Sequence, residues 1–154
     1  MISVVRTFIL WAHLFSAMLF IGGSFFMWLI LVPASKEVEK DEAKRTMLVA
    51  KVSKRFAKLT SWLLAALIVS GLLNAAWYTP SYPYQEYLVL GMAAATLALV
   101  VLLYGPGRYY GRQIADLAKK RDIRGLEEVR RKSTIVSYMN LVLMVLISII
   151  AVLL

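Results

Sequence analysis

The sequence predicts an all-α integral membrane protein: a four-helix bundle with both termini outside and two basic cytoplasmic segments. Three observations carry that reading. Of the 154 residues, 60% are hydrophobic and only 18% charged. Four stretches, residues 7–32, 59–78, 87–104 and 134–154, are long and apolar enough to span, since about 20 apolar residues of helix cross a bilayer core. The basic residues are also strongly segregated. Eight of the 18 Lys and Arg lie between Lys36 and Lys58, nine between Arg108 and Lys132, and only Arg6 lies elsewhere. By the positive-inside rule, segments 33–58 and 105–133 are cytoplasmic and both termini extracytoplasmic. Helices are the expected spanning form because lipid leaves no outside partner for backbone N–H and C=O groups. Porin-type strands would be about 10 residues long and alternate in polarity. One bundle over residues 1–154 accounts for the chain, so a single domain is expected.

The first span, TFILWAHLFSAMLFIGGSFFMWLILV, runs for 26 residues without a formal charge. It exceeds the 7–15 residue apolar core of a signal peptide and follows one basic side chain, so it is expected to remain as a helix. It should end near Val32, because proline disfavours helical geometry in the residue before it and Pro33 follows. Across residues 35–58, Leu48, Val52, Phe56 and Leu59 recur at three- and four-residue spacing. That helical period predicts an amphipathic cytoplasmic helix running directly into the second span. Trp62 and Trp77-Tyr78 fall near the ends of that span, where interfacial aromatics are favoured.

The connection TPSYPYQEY, short and rich in proline and tyrosine, reads as an external turn. The third span is expected to stop at Gly105-Pro106-Gly107, a helix-breaking combination. Residues 108–132 are basic with Gly125 as a break, which predicts two short surface helices before the fourth span. The spans thus form two hairpins with basic inner segments of similar length. Small residues mark helix contacts, because close backbone approach drives association in lipid. Ala66, Ser70 and Asn74 form such a row on the second span, Gly91 and Ala95 on the third, and Gly22-Gly23 interrupts the first.

The net charge of +9 does not point to nucleic acid, because acidic residues are interleaved and no nucleic-acid module is recognisable. Membrane lipids are the expected partners of the basic segments. The chain has no cysteine, which removes disulfides, thiolate ligands and thiol catalysis. No Ser/His/Asp set is visible, no acidic residue lies within a span, and GPGRYYG lacks the GK[ST] ending of a phosphate loop. No catalytic residue is assigned.

His13 is the only histidine. An ionisable group inside a span is costly and normally has a partner or a task, and imidazole is the commonest metal ligand. Depth counting places His13, Asn74, Met92 and Ser148 in one outer-leaflet layer roughly 6–9 Å below the surface. Bundle cores build cofactor sites from such layers. Arg6 lies two turns from His13 on the same face, about 10 Å away, and suits the propionates of a haem. This yields a candidate b-type haem site: His13 as axial ligand, Met92 or His13 of a second copy opposite, and Arg6 and Asn74 as further cofactor contacts. Its uses would be electron transfer or redox sensing. The bland alternatives are an interhelical hydrogen bond from His13, for instance to Asn74, methionines serving as packing, and Arg6 as an interfacial anchor. Asn140 reads as a packing hydrogen bond. A cofactor-free accessory subunit of a larger membrane complex, or a homodimer, accounts for the same features.

Three passages carry a family resemblance: His13-Leu14 with IGG at Ile21–Gly23 and Pro33; KVSKRFAKL leading to SGLLNA at Ser70–Ala75; and LALVVLLYGPGRYY from Leu97 to Tyr110. The chain resembles copper-resistance D (CopD)-type membrane domains and, more distantly, HemJ-type haem-binding membrane proteins. The first resemblance implies copper handling across the membrane, with copper as the alternative to haem. The second implies a b-type haem held by His13. The lysine of the HemJ pattern is absent from the third span, where Gly91 stands next to Met92, so the oxidase activity is not carried over.

Overall fold

The computed structural model describes residues 2–78 and 81–154, and every regular element among them is helical. Helix α1 spans Ile2–Phe26 and passes through a π-helical segment, Met27–Leu31, into α2, Val32–Val38. After a short break, α3 runs unbroken from Glu42 to Ala76. Helix α4, Tyr84–Leu102, passes through a second π segment, Leu103–Gly107, into α5, Arg108–Lys120, and α6 spans Ile123–Leu153. Four helical runs are long and apolar enough to cross a membrane: Ser3–Val38, Glu42–Ala76, Tyr84–Lys120 and Ile123–Leu153. Only 11–17% of each run's most apolar window is buried within the protein. So much exposed Leu, Val, Phe and Trp requires an apolar surrounding, which a bilayer supplies. The molecule is a multi-pass membrane protein.

Three sequence expectations are corrected. Pro33 does not end the first helix, which continues to Val38. Proline lacks the N–H that the carbonyl four residues back would accept. The preceding π turn absorbs this defect, with the Val32 N–H reaching the Met27 carbonyl five residues back. The same device carries α4 through Pro106 into α5, so Gly105-Pro106-Gly107 is a π turn and not a stop. Local π turns are a known way to accommodate such irregularities inside a helix. Gly107 is needed there, because a Cβ at that position would lie 3.0 Å from the Leu102 carbonyl oxygen. The break in the basic segment falls at Arg121-Asp122, not at Gly125. Arg121 takes the left-handed conformation at φ 55°, and Asp122 Oδ1 then accepts from the Gly125 N–H at 3.1 Å to cap α6. Gly125 therefore opens the fourth long helix. The amphipathic lead-in runs straight into the second span, as its period predicts, from Glu42 onward.

The chain clusters into two compact units. The first comprises Met1–Lys40 and Lys51–Thr79, the second Asp41–Ala50 and Pro80–Leu154. In the first, α1 and the body of α3 are antiparallel: a Cβ on Gly23 would meet the Phe56 ring at 2.6 Å, while His13, earlier on α1, reaches Leu67 and Ser70, later on α3. In the second, α4 and α6 pack together, with the Gln85 side chain donating to the Leu154 carbonyl at 3.3 Å. Ala95 and Leu99 of α4 and Asn140 and Met144 of α6 are buried there. The opening turn of α3 is tied to α6 by Arg130, which pairs with Glu42 and donates to Thr46 Oγ1 at 2.9 Å.

Candidate functional site

His13 sits on the stripe of α1 that also carries the buried residues Ser16 and Phe20, at the three- and four-residue spacing of one helical face. The opposite face carries a stacked aromatic row, Phe8, Trp11 and Phe15, all more than 45% exposed and so turned outward. The sequence thus directs its one imidazole inward, against α3. There it meets a gap: a Cβ added to Gly71 would lie 3.2 Å from His13 Cε1. The missing side chain at Gly71 makes room for the ring.

His13 Nδ1 lies 2.9 Å from Ser70 Oγ and 3.2 Å from the Leu67 carbonyl oxygen. Ser70 directs its own O–H to the Ala66 carbonyl, the back-bonding habit of serine within helices. The Leu67 carbonyl can only accept, so the tautomer that satisfies it carries its hydrogen on Nδ1. In the neutral imidazole Nε2 is then a bare acceptor. Among the described residues nothing donates to it, and His13 is only half-buried. Metal-bound histidines take this form, with one ring nitrogen held by a backbone carbonyl and the other presented to the ligand.

Asn74 does not pair with His13. It lies one turn beyond Ser70, about 6 Å along α3, and its Nδ2 is buried without a partner. Arg6 is exposed on α1. Met92 and Ser148 belong to the second compact unit. Met92 is half-buried on α4, its carbonyl accepting from Thr96 Oγ1. Ser148 Oγ donates to the Met144 carbonyl at 2.8 Å. Asn140 is buried on α6 with Oδ1 unpartnered, which departs from the packing hydrogen bond expected for it. Ser70, Gly71 and the Leu67 carbonyl are the site groups that depth counting missed. The small-residue row through Ser70 was the available signal, since a close helix contact is where a side chain meets a neighbouring backbone.

Among the described residues, no three of His, Cys, Asp and Glu are gathered to hold an ion. A porphyrin asks for less, because it supplies four equatorial nitrogens of its own and needs the protein only for axial positions. No family model, no curated protein and no solved structure matches the chain.

Proposed function

We propose that this is a membrane haem protein of the cell membrane, with both termini outside and its basic segments in the cytoplasm. It binds b-type haem through His13 for electron transfer or redox sensing near the outer surface. The observation that carries this reading is the unpartnered Nε2 of His13 beside an Nδ1 held by Leu67 and Ser70. A histidine serving only as an interhelical hydrogen bond has no need to leave one nitrogen open within a span. Asn74, a buried donor without an acceptor, and Arg6 lie towards the same end of the α1/α3 pair. Both offer hydrogen bonds to the carboxylates of such a cofactor. His13 of a second copy would complete the hold on the group. When bound, the haem supplies one-electron redox chemistry. The chain's residues orient it, exclude water and balance its carboxylates.

The deciding measurement is the absorption spectrum of the full-length protein purified from haem-replete cells, with metal analysis alongside. A Soret band that disappears in His13→Ala supports the assignment. A colourless protein carrying stoichiometric copper transfers the site to copper handling. A colourless, metal-free protein that co-purifies with a larger membrane complex makes it an accessory subunit, in which the open Asn74 donor meets a neighbouring subunit's carbonyl.

A further inference from the structure

Beyond the third span, α5 and the first turns of α6 enclose an open cleft of about 580 Å³. Tyr109, Tyr110, Asp116 and Lys120 line it from α5, and Glu128 and Lys132 from α6. Glu128 and Lys132 occupy each other at 2.8 Å. Their hydrogen bond holds the carboxyl below its usual range and raises the ammonium above its own. Asp116 and Lys120 differ: neither has an ion pair or hydrogen bond among the described residues, although they stand one turn apart. The cleft therefore offers an uncommitted anion and an uncommitted cation side by side, with two tyrosine rings near them.

Its depth in the membrane narrows the ligand. Tyr109 lies five residues past Tyr104, about 7 Å along the helix. Tyr104 itself sits under the Arg108 guanidinium at 4.3 Å, the aromatic–cation combination of a membrane interface. On the topology proposed above, the cleft falls at headgroup level. Headgroups that carry both charges join a phosphate diester to an amine. We propose that the cleft seats the headgroup of an aminophospholipid. Its phosphate lies against Lys120, and its primary ammonium against Asp116 and the tyrosine rings, which attract cations. An acidic headgroup without an amine leaves Asp116 facing negative charge. The exposed row of Arg108, Arg112 and Lys119 on α5 attracts any anionic lipid without discrimination, so selectivity for the amine is the property that distinguishes the cleft.

The test is native mass spectrometry of the full-length protein released from micelles. Phosphatidylethanolamine, phosphatidylglycerol and phosphatidylcholine are supplied at equal concentration. Retention of phosphatidylethanolamine about tenfold above the other two is expected, the scale of one charge-assisted hydrogen bond. Asp116→Asn should abolish that preference, Lys120→Gln should weaken retention of all three, and Arg112→Gln, outside the cleft, should leave the preference intact. Equal retention of phosphatidylglycerol, an undiminished preference in Asp116→Asn, or an equal loss in Arg112→Gln overturns the proposal. Displacement of the lipid by soluble phosphoethanolamine at matched concentration overturns the lipid as the source. Asp116, Lys120 and Arg112 are all exposed, and an unchanged melting temperature in each variant ties the result to binding.

Discussion

Two glycines and a serine do for His13 what larger residues could not. Gly71 leaves space for the imidazole, Ser70 Oγ lies 2.9 Å from Nδ1, and Gly23 lets the Phe56 ring close the opposite end of the α1/α3 contact. Second-sphere hydrogen bonds of this kind typically change metal affinity by about 10–100-fold. Under the proposed haem assignment, Ser70→Ala is expected to weaken haem retention about tenfold, with the Leu67 carbonyl still orienting the ring. His13→Ala should abolish retention. Spectral titration of both variants with haem checks this, and equal retention by Ser70→Ala and the parent would remove Ser70 from the site. Gly23→Ala is expected to cost about 1–3 kcal/mol through overpacking against Phe56, read as a lower thermal midpoint in detergent. Phe56→Leu in the same background should recover part of the loss.

At the level of the elements, both prolines of the long helices are carried by π turns, and the breaks before α3 and α6 carry capping aspartates. Asp122 caps α6, and Asp122→Ala should lower stability by about 1 kcal/mol, whereas Pro106→Ala should leave the α4–α5 run helical. Circular dichroism with thermal melts separates the two outcomes. Asp41 accepts from the backbone N–H groups of Ala43 and Lys44 at the start of α3. These bonds, that to Lys44 foremost, hold its carboxyl below the usual range. A depressed folded-state pKa stabilises the fold above the unfolded value and is lost as the pH falls through the folded one. Asp41→Asn should therefore lower stability at neutral pH, leave it little changed in acid where Asp41 is already protonated, and so flatten the acid limb of a stability–pH profile. Arg130, which joins the opening of α3 to α6 through Glu42 and Thr46, is half-exposed. Its removal in Arg130→Ala is expected to cost about 1 kcal/mol, as for a partly solvated pair.

At the scale of the whole molecule, the segregation of basic residues predicts which side of the membrane each segment occupies. Lys44 and Lys120 are both exposed. A cysteine at either position, in this cysteine-free chain, should react with an impermeant thiol reagent only from the cytoplasmic face. Labelling of intact cells at either position would invert the topology and move the His13 end of α1 to the inside. The four long helices, their apolar surface and the inward placement of the sole histidine were legible in the sequence, because each depends on composition or on a 3.6-residue period. The site's immediate partners were not. Asn74 and Ser70 lie on one face of α3 a single turn apart, so which of them meets His13 depends on the register of α1 against α3. That register follows from where Phe56 fits at Gly23 and the imidazole fits at Gly71, contacts between residues 33 and 58 positions apart. The path through Pro33 and Pro106 was likewise beyond local rules, because a π turn moves a hydrogen bond by one residue and lets the helix continue. What the sequence by itself determined was membrane class, the number of spans and the identity of the one imidazole within them, since these follow from residue type and spacing. The tertiary structure decided which groups meet the histidine, because these depend on which carbonyl and which hydroxyl the packing of α1 on α3 brings to the ring.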